Sequence, residues 1–358
     1  MFDFLKVSSA PLMGMDISSS AIKVVELSRT KGKYVVEAFG IEMVAPQSIV
    51  ERNIKEIDKV AESIHRLVKR VNVSSKCVAV AVTGSSVLTR IIQLSRSYAE
   101  VQVAEQIEVD AERYFPYPLE QMYYDFQIVG PFAKNPELAD VLLAAARVDT
   151  VDTRVTAIVE AGLKPTVVDI ESLAVERAFA LVVNHLPEKG KGCNFALIDI
   201  GGSITTVYIF RELHIIYNRE QAFGGKHLTD EIQRRYGLTP EESNIAQKHG
   251  GLPEDYITEV LNPFKETVVQ QISRSLQVFL STSEETTIDY IVLAGGVAKL
   301  PGLDTLIQSK LKIKTFLANP FLEADVSSHV NKGALFDEAP GLMVACGLAL
   351  RNFDNDKN

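Results

Sequence analysis

Two short segments far apart in the chain carry the same pattern of acidic, small and hydroxyl-bearing residues. Residues 13–27 read MGMDISSSAIKVVEL, and residues 196–210 read ALIDIGGSITTVYIF. Each has an apolar run ending in Asp-Ile, then a turn of Ser or Gly and a second β-rich run, so that Asp16 aligns with Asp199. Small residues let backbone N–H groups approach phosphate oxygens, and serine hydroxyls add donors. The repeat predicts two similar β-hairpins that face one polyanion from opposite sides, as in a nucleotide clamp.

Each of the two loops also has a simpler interpretation. The segment from Asp16 to Ser20 is compatible with an ordinary serine-rich hairpin turn, and the segment from Asp199 to Ser203 with a glycine turn. In the second loop, however, paired glycines allow a close backbone approach that a side chain would block. A carboxylate at this place can hold hydrated Mg²⁺, the usual companion of ATP phosphates. Because the pattern occurs twice, we favour a site in which Asp16 and Asp199 hold Mg²⁺ through water.

Two further glycine pairs lie at the ends of predicted strands in the second half of the chain. Gly224-Gly225-Lys226 marks a strand-to-helix junction, where a helix N-terminus can face phosphate. Residues 291–297 read IVLAGGV, a buried strand that delivers Gly295 and Gly296 to a loop where a planar base can lie against bare backbone. Ordinary strand–turn–helix connections are the alternative for both pairs. The sequence has neither the G-x-x-x-x-G-K-[ST] nor the G-x-G-x-x-G phosphate-binding motif, and no histidine or cysteine cluster for a transition metal.

The elements predicted around these loops alternate between strands and helices. Runs of β-branched residues bounded by turn residues predict strands, and apolar residues at helical spacing predict helices. The β-α-β-β-α order between residues 86 and 165 predicts a compact α+β module inserted into the first half. The predicted strands are residues 13–16, 21–28, 33–44, 77–82, 86–94, 123–130, 140–147, 166–170 and 290–294, with three more between 193 and 223. The predicted helices are residues 51–71, 99–115, 151–161, 171–185, 301–311 and 340–352, with further helices from 224 to about 282.

Composition limits the classes of function. The formal net charge of −9 at pH 7, without a compensating basic cluster, argues against a nucleic-acid-binding surface. No apolar run reaches the roughly eighteen residues that span a bilayer, and the first residues, MFDFLK, are unlike a secretory signal. Three widely spaced cysteines, Cys77, Cys193 and Cys346, are typical of buried thiols in a reducing compartment. We therefore expect a cytoplasmic protein without direct membrane insertion.

The order of the two aspartate loops and the two glycine pairs resembles the superfamily of actin, hexokinase and heat-shock chaperones. This resemblance implies an α/β, ribonuclease H-like fold in which two domains enclose a deep ATP-binding cleft. From one side it implies phosphate contacts by Gly14, Asp16, Ser18, Ser19, Ser20 and Lys23. From the other side it implies contacts by Asp199, Gly201, Gly202, Ser203, Thr205, Gly224, Gly225 and Lys226. Around the nucleoside it implies contacts by Asn244, Gln247, Gly295, Gly296 and Val297.

Within that superfamily the chain resembles the PilM family of FtsA-like type IV pilus assembly proteins over nearly its whole length. The stretches that carry this resemblance are RYFPYPLEQMYYDFQIVG, IDIGGSITTVYIF, AFGGKHLTDEIQRRYGLTPEES, DYIVLAGG and GLALRNF. The family's A-E-x-x-K pattern near adenine is replaced here by Ser243-Asn244-Ile-Ala-Gln247, so that the adenine contacts differ. The implied units are a subdomain of residues 1–85 completed by 166–192 and 330–358, an inserted α+β subdomain of residues 86–165, and a second domain of residues 193–330 with a helical part at about 224–285.

The resemblance also implies a role. It implies an ATP-binding cytoplasmic scaffold, peripheral at the inner membrane, that binds the N-terminal tail of PilN in a groove between the first and the inserted subdomains. Pilus motor ATPases and further copies of the chain are other expected partners. FtsA-like proteins bind membrane through a basic amphipathic C-terminal helix, but residues 352–358 lack an apolar face, so we expect a protein partner to provide the membrane location. Glu105, Glu108 and Glu112 share one face of a predicted helix and form either a site for a basic tail residue or a solvated surface.

The sequence leaves the activity open between three classes. Beyond Asp16, Asp199 and Glu171 no candidate general base stands out, so we expect tight ATP binding with slow or no hydrolysis. The two alternatives to the scaffold are an FtsA-like polymerising ATPase and a sugar-kinase-type phosphotransferase. The second alternative needs a carboxylate that faces an acceptor hydroxyl in a substrate pocket, and the sequence shows no such pocket.

Overall fold

The computed structural model describes residues 11–50, 52–83, 87–283 and 287–357. Its strands form where β-branched and apolar residues are concentrated, as the sequence predicts. In chain order they are β1 (Leu12–Ile17), β2 (Ala21–Thr30), β3 (Lys33–Met43), β4 (Ile49–Val50), β5 (Asn53–Ile54), β6 (Cys77–Val82), β7 (Val87–Ser95), β8 (Met122–Pro131), β9 (Leu138–Arg147), β10 (Lys164–Ile170), β11 (Asn194–Ile200), β12 (Thr205–Arg211), β13 (His214–Gln221), β14 (Tyr290–Ala294), β15 (Lys314–Leu317) and β16 (Asp325–Val326).

Several helices begin or end at residue types that favour helix termini. The Thr239 hydroxyl accepts a hydrogen bond from the Glu242 amide at the start of one helix, and Gly237 ends the preceding helix in a left-handed conformation. In chain order the helices are α1 (Ile57–Val71), α2 (Glu100–Val109), α3 (Ala111–Tyr114), α4 (Val148–Glu160), α5 (Glu171–Val182), α6 (Gly225–Tyr236), α7 (Pro240–His249), α8 (Asn262–Thr282), α9 (Leu303–Leu311), α10 (Lys332–Glu338) and α11 (Met343–Ala349).

Two of the sheets have the same topology. Sheet A has the strand order β10-β6-β1-β2-β3-β16, and sheet B has the order β13-β12-β11-β14-β15. In each, three consecutive strands form an antiparallel meander, and two later strands add in parallel on the side of the first strand. This duplication is the structural counterpart of the sequence repeat. Lobe 1 is sheet A with β4, β5, α1, α4, α5 and α11, and lobe 2 is sheet B with α6 to α9.

Helices α5 and α11 pack between the two sheets. Every residue of α11 is buried, and it shares one core with apolar side chains of both sheets. The helix approaches β1 so closely that a Cβ atom at Gly14 would overlap the Ala345 carbonyl oxygen. Among the described residues, Lys332–Phe353 alone has the length and hydropathy of a membrane span, and 72% of its most apolar window is buried in the protein. The central position of this segment accounts for its apolar character.

Sheet C, of strand order β7-β9-β8, forms the inserted module together with α2 and α3. Side chains on its inner face, such as Leu143, pack against Ile107 of α2. The prediction of one helix over residues 99–115 is wrong, because the backbone leaves the helical conformation at Asp110 and two shorter helices result. The predicted start of the module at residue 86 lies outside the described residues.

Helix α4 packs on lobe 1 as well as on the module. The sequence places this helix within the inserted residues 86–165, yet its buried Ala157 and Ile158 join the core of sheet A and α1. Its first turns also contact the module, since the Tyr123 hydroxyl on β8 donates to Asp152 over 3.2 Å. Helix α4 therefore lies between lobe 1 and the outer face of sheet C.

The segment before α1 is a hairpin rather than helix. The predicted helix over residues 51–71 begins only at Ile57, because Ile49 pairs with Ile54 across a two-residue turn and forms the β4–β5 hairpin. Both isoleucines are buried, and Ile54 continues the apolar spacing of α1, so the sequence suggested an earlier start of the helix. The hairpin places its turn, and with it Arg52, at the contact between the lobes.

The C-terminal part also differs from the prediction. Of the helix predicted over residues 340–352 only α11 is α-helical, because 3₁₀ turns over Ala339–Leu342 and Leu350–Lys357 precede and follow it. Helix α10 was not predicted. A proline at position 340 has no amide hydrogen to donate, which is typical of such a break. The short strands β15 and β16 were not predicted, because four and two residues are too few for a recognisable strand pattern.

Candidate functional site

The two aspartates lie at corresponding places in the two lobes. Each is near the end of the first strand of its meander and precedes a tight turn. In the first turn the Ser18 amide donates to the Ala21 carbonyl over 3.1 Å, and in the second the Gly201 amide donates to the Ile204 carbonyl over 3.0 Å. The aligned residues therefore make the same turn, and the predicted hairpin repeat is present in the backbone.

The two turns meet at the contact between the lobes. The Ser19 hydroxyl donates to the Ser203 hydroxyl over 3.2 Å. A Cβ atom at Gly202 would lie 2.6 Å from the hydroxyl oxygen of Ser20, so only glycine permits this approach. The contact between the turns is thus made by hydroxyls and bare backbone. Such a surface fits phosphate oxygens, because they accept several hydrogen bonds and need little steric room.

One ammonium group serves both aspartates. Lys23 lies opposite Asp16 in the strand register, and its Nζ donates to Asp16 Oδ2 over 3.1 Å. Burial lowers the pKa of Lys23, but Asp16 and Asp199 outweigh that effect, so that its pKa is raised. Burial raises the pKa of Asp199 to about 6, although Lys23 opposes the shift. Two carboxylates share one cation here, and the remaining negative charge suits a divalent metal.

This arrangement is compatible with the predicted Mg²⁺ site only if water and phosphate oxygens supply most of the metal ligands. Across residues 11–50, 52–83, 87–283 and 287–357, no group of three or more His, Cys, Asp or Glu side chains is placed to hold a metal ion. Mg²⁺ keeps several of its waters in proteins and typically takes one or two carboxylates together with substrate phosphates. Asp16 and Asp199 meet that smaller requirement.

The N-terminus of α6 packs directly against the second turn and does not face an open space. The amides of Gly225 and Lys226 donate to the carbonyls of Gly201 over 2.9 Å and Gly202 over 2.7 Å. A Cβ atom at Gly224 would lie 2.5 Å from the Gly201 carbonyl oxygen. These amides are occupied, so the prediction that this helix N-terminus faces phosphate is corrected. The glycines are needed instead for the close docking of α6 on the turn.

In the third glycine pair, Gly295 is packed closely against its neighbours, whereas Gly296 faces open space. Gly295 has a φ of +85°, and a Cβ atom there would lie 2.5 Å from Asp199 Oδ1. Its amide donates to the Pro340 carbonyl over 2.7 Å, so it is not free for a ligand. Gly296 is exposed, and no described atom lies within 4 Å of its Cβ position. The nucleoside contact predicted for this segment is therefore compatible with Gly296, beside the nearly buried Val297.

The structure does not bring Gly14 and Thr205 to the crevice. Gly14 lies in the middle of β1, paired with strands on both sides, and its Cα faces α11. Thr205 is 2% exposed, and its hydroxyl donates to the Phe223 carbonyl over 2.8 Å. The first residue allows a helix to pack closely, and the second fixes the strand before α6. Both predictions of a phosphate contact are corrected.

The predicted adenine contacts lie in α7. The Gln247 amide donates to the Thr229 hydroxyl over 3.2 Å and so joins α7 to α6. Asn244 is in the same helix, but its side chain lies outside the described residues. Their contact with a base stays a prediction.

An ion-pair network that the sequence did not predict lies beside the two aspartates. Arg52 contacts Glu171 at the start of α5 over 2.7 Å and Glu220 near the end of β13 over 3.3 Å. The Tyr208 hydroxyl donates to the other Glu171 oxygen over 3.1 Å. Glu171, predicted as a candidate base, is thus brought to the site with both oxygens engaged. The sequence carried no signal for Arg52, because the β4–β5 hairpin that presents it was predicted as part of a helix.

A second buried arginine lies behind this network. Arg154 on α4 is 1% exposed, and burial lowers its pKa to about 10. It donates to the Arg52 carbonyl over 2.8 Å and to the Thr150 carbonyl over 3.1 Å. The sequence carried a signal, since this charged residue occupies an apolar position between Val151 and Ile158 in the helical spacing.

Comparison with known proteins identifies the family. A family model described as type IV pilus assembly protein PilM matches residues 14–353. The chain belongs to this PilM family. A solved structure described as the PilM-PilN type IV pilus biogenesis complex matches the PilM-family chain with a TM-score of 0.80 and 25% identity, covering 97% of this chain and 100% of that one. The predicted relationship is confirmed.

Two more distant relatives connect the PilM-family chain to the actin-like superfamily. Cell division protein FtsA of Bacillus subtilis (strain 168) is 24% identical over 356 residues, which cover 86% of this chain and 78% of FtsA. MreB 5 of Spiroplasma citri, solved bound to AMPPNP, matches with a TM-score of 0.51 and 12% identity over 98% of this chain and 97% of that one. The predicted actin-like fold is confirmed, and the chain is an actin-like protein of type IV pilus assembly.

Proposed function

We propose that this PilM-family protein binds Mg²⁺–ATP between the two aspartate turns and works as a scaffold that receives the N-terminal tail of PilN. The observation that carries the nucleotide half is the meeting of the two turns, where Ser19 contacts Ser203 and one lysine serves both carboxylates. A polyanion–metal complex matches this mixture of hydroxyls, bare backbone and opposite charges. The AMPPNP in the MreB 5 structure supports the same chemistry for a distant relative.

The chain's own residues would divide the binding of this ligand. Bound Mg²⁺ would neutralise phosphate charge and fix the phosphates in one geometry. Asp16 and Asp199 would orient the waters around the metal, and Gly296 would lie against the nucleoside. The phosphate oxygens would accept hydrogen bonds from the backbone and side chains of the two turns, namely Ser18, Ser19, Ser20, Gly202 and Ser203, with Lys23 between them.

Slow hydrolysis follows from the state of the candidate base. Glu171 is 13% exposed at its side chain, and its two oxygens accept hydrogen bonds from Arg52 and Tyr208. A general base must instead contact the water that it activates. The geometry favours a nucleotide-dependent scaffold over a sugar-kinase-type phosphotransferase, because the carboxylate is committed to interdomain contacts.

The outer face of sheet C is the surface that we propose for the PilN tail. Alternation along β7 directs Ile92 to the inner core and leaves Ile91 on the outer face, where it is 49% exposed. On the same face of β8, burial raises the pKa of Asp125 while Arg351 of the C-terminal segment opposes the shift. This interaction indicates that the outer face lies opposite lobe 1. This face combines the apolar side chains of Ile91 and Leu142 with polar ones such as Gln93, which donates to Asp140 over 2.8 Å. A strand face with alternating apolar and polar side chains suits an extended peptide.

The acidic residues of α2 and α3 do not line this groove. Helix α2 covers the inner face of sheet C, whereas α4 and lobe 1 lie on the outer side. Glu105 and Glu112 are exposed, and Glu108 accepts a hydrogen bond from Tyr124 over 2.9 Å. The solvated interpretation of this acidic face is therefore favoured over a contact with the tail.

For the whole chain we propose the three units predicted from the sequence, with α4 moved from the inserted subdomain to lobe 1. Residues 1–85, 166–192 and 330–358 would form the unit around sheet A, and residues 193–330 the unit around sheet B. We propose that the protein works at the inner membrane through PilN, with Mg²⁺–ATP in its crevice. Motor ATPases and further copies of the chain remain candidate partners in this proposal.

Isothermal titration with Mg²⁺–AMPPNP and with a synthetic PilN tail tests both halves. We expect both ligands to bind the wild-type protein. Ile91→Asp should weaken the peptide at least tenfold, because a charge replaces an exposed apolar side chain of this face, and should leave the nucleotide affinity unchanged. Val109→Asp is the matched control, since Val109 is 80% exposed on α2, away from the groove. Loss of peptide binding in both variants, or in neither, contradicts the groove; no heat with Mg²⁺–AMPPNP contradicts the nucleotide site.

A further inference from the structure

Arg52 has a backbone conformation that is uncommon for a residue other than glycine. It lies in the two-residue turn between β4 and β5 with a φ of +66°. Two-residue hairpin turns favour Gly, Asn or Asp at such positions, because other side chains are strained there. A non-glycine residue in a sparsely populated conformation persists where the surrounding contacts over-determine it, and such positions cluster at functional sites. The contacts of the Arg52 side chain are therefore expected to account for its place in this turn.

The Arg52 guanidinium bridges the two lobes. On its own side it donates to Thr83 and to Glu171, the latter over 2.7 Å. Across the crevice it donates to Thr206 over 3.2 Å and pairs with Glu220 over 3.3 Å. The fork of a guanidinium can serve several acceptors in fixed directions, whereas an ammonium is a point charge. Its side chain is 18% exposed, so these contacts are largely shielded from solvent screening.

One of the residues that Arg52 contacts lies next to an aspartate of the proposed nucleotide site. Thr206 pairs with Asp199 in the register of β11 and β12, so one lobe 2 partner of Arg52 flanks the second aspartate. Glu171 is held from lobe 2 by the Tyr208 hydroxyl as well. Opening the crevice requires these interlobe bonds to break. The network is thus placed to set how long the crevice stays closed.

The turn that presents Arg52 is fixed from behind. Buried Arg154 donates to the Arg52 carbonyl, and it belongs to α4, the helix between lobe 1 and the inserted module. A hydrogen bond of this kind from a neighbouring side chain holds the contacting residue, here Arg52, in one geometry. It also joins the turn to α4, which contacts the module.

We infer that Arg52 is a positioning residue that clasps the two lobes over the crevice, holds the Glu171 carboxylate in place and limits the release of bound nucleotide. This inference rests on the proposed nucleotide site for its effect on release, but the clasp itself is a property of the ligand-free protein. A movement of α4 would be transmitted to the clasp through Arg154.

Arg52→Gly is the most informative variant. Glycine adopts the left-handed conformation without strain, so any loss is due to the missing side chain and not to the backbone. Lys31→Gly is the matched control, because Lys31 also has a positive φ, of 50°, in an exposed hairpin turn away from the crevice. Arg52→Lys keeps one charge–charge contact but loses the fork, and it should behave between the wild type and Arg52→Gly.

Hydrogen exchange of the nucleotide-free protein tests the clasp directly. We expect Arg52→Gly to exchange amides faster at residues 49–54 and 218–221, the two segments joined by the guanidinium, while Lys31→Gly exchanges there as the wild type does. Release of a fluorescent ATP analogue after mixing with excess unlabelled ATP should be about tenfold faster in Arg52→Gly, the effect of losing about 1.4 kcal/mol.

A double variant decides whether the effect passes across the lobes. Glu220→Gln alone should speed release moderately, and combined with Arg52→Gly it should add nothing, because the shared contact is already gone. Unchanged exchange in Arg52→Gly, or equal effects of Arg52→Gly and Lys31→Gly, overturns the inference. If the wild type fails to bind the analogue, the proposed nucleotide site is wrong, and the exchange experiment still decides the clasp.

Discussion

The first and second aspartate hairpins share a backbone and differ in the residue that faces each carboxylate. The strand residue opposite Asp16 is Lys23, whereas the residue opposite Asp199 is Thr206. The first carboxylate is therefore paired with a cation over 3.1 Å. The second is flanked by a hydroxyl, and burial raises its pKa to about 6. The two hairpins thus share their turn geometry and differ in their electrostatic roles.

The turns differ for a packing reason as well. The second turn has the start of α6 on one side and the first turn on the other. A Cβ atom at Gly202 would meet Ser20 of the first turn, and one at Gly224, at the start of α6, would meet the second turn. At the place of Gly202 the first turn has Ser19, whose hydroxyl reaches Ser203. One turn is a fixed platform and the other supplies hydroxyl donors. Substitutions at matched positions should therefore have unequal effects.

The largest difference should appear at the residues opposite the carboxylates. Lys23→Met removes a side chain that is 16% exposed and leaves two carboxylates without their shared cation. Breaking such a pair typically costs about 3–5 kcal/mol. Thr206→Val removes a hydroxyl that accepts from Arg52 and should cost only about 1 kcal/mol. Chemical denaturation at neutral pH measures both, and equal losses would show that the two hairpins are electrostatically alike.

A somewhat smaller effect separates the two glycines that follow β14. Ala at Gly295 must adopt a φ of +85° and place its Cβ 2.5 Å from Asp199 Oδ1. Overpacking and left-handed strain together should destabilise the protein by about 3 kcal/mol.

Gly296→Ala is the adjacent control, because its Cβ would enter open space and change stability by less than about 0.5 kcal/mol. Both are measured by denaturant unfolding. If the Gly296 variant were the less stable one, the close approach of Gly295 to Asp199 would not determine stability at this loop.

The sequence predicted what depends on short segments and missed what depends on contacts between distant ones. The two turns were recognised because an apolar strand, an aspartate and small residues define a hairpin locally. Gly14 was assigned to phosphate because a glycine required by a packed helix is indistinguishable, in sequence, from one required by a ligand. Arg52 was missed because its partner Glu171 is 119 residues away and Thr206 is 154 residues away. No spacing rule connects such residues before the lobes are assembled.

The smallest predicted effect concerns pH and isolates Asp199. Its pKa is raised from 3.8 to about 6, so the folded protein holds this proton more tightly than the unfolded chain does. Stability of the ligand-free protein should therefore fall as pH rises from about 4 to about 6, and Asp199→Asn should remove that component. In the site that we propose, Mg²⁺–ATP binding uses the charged form of Asp199, so the affinity should be constant above about pH 7 and should fall by up to about tenfold per pH unit below pH 6.

Comparison of variants separates the titration of Asp199 from that of the ligand. Protonation of the ATP phosphates affects the wild type and every variant equally. Asp199→Asn should bind more weakly and lose the protein's share of the pH dependence. Asp16→Asn should keep an inflection displaced to lower pH, because the negative charge of Asp16 contributes to raising the pKa of Asp199. Calorimetric titration from pH 5 to pH 8 measures each curve. If Asp16→Asn rather than Asp199→Asn removed the inflection, the roles of the two hairpins would be reversed, since the proton would then belong to the carboxylate that faces the lysine.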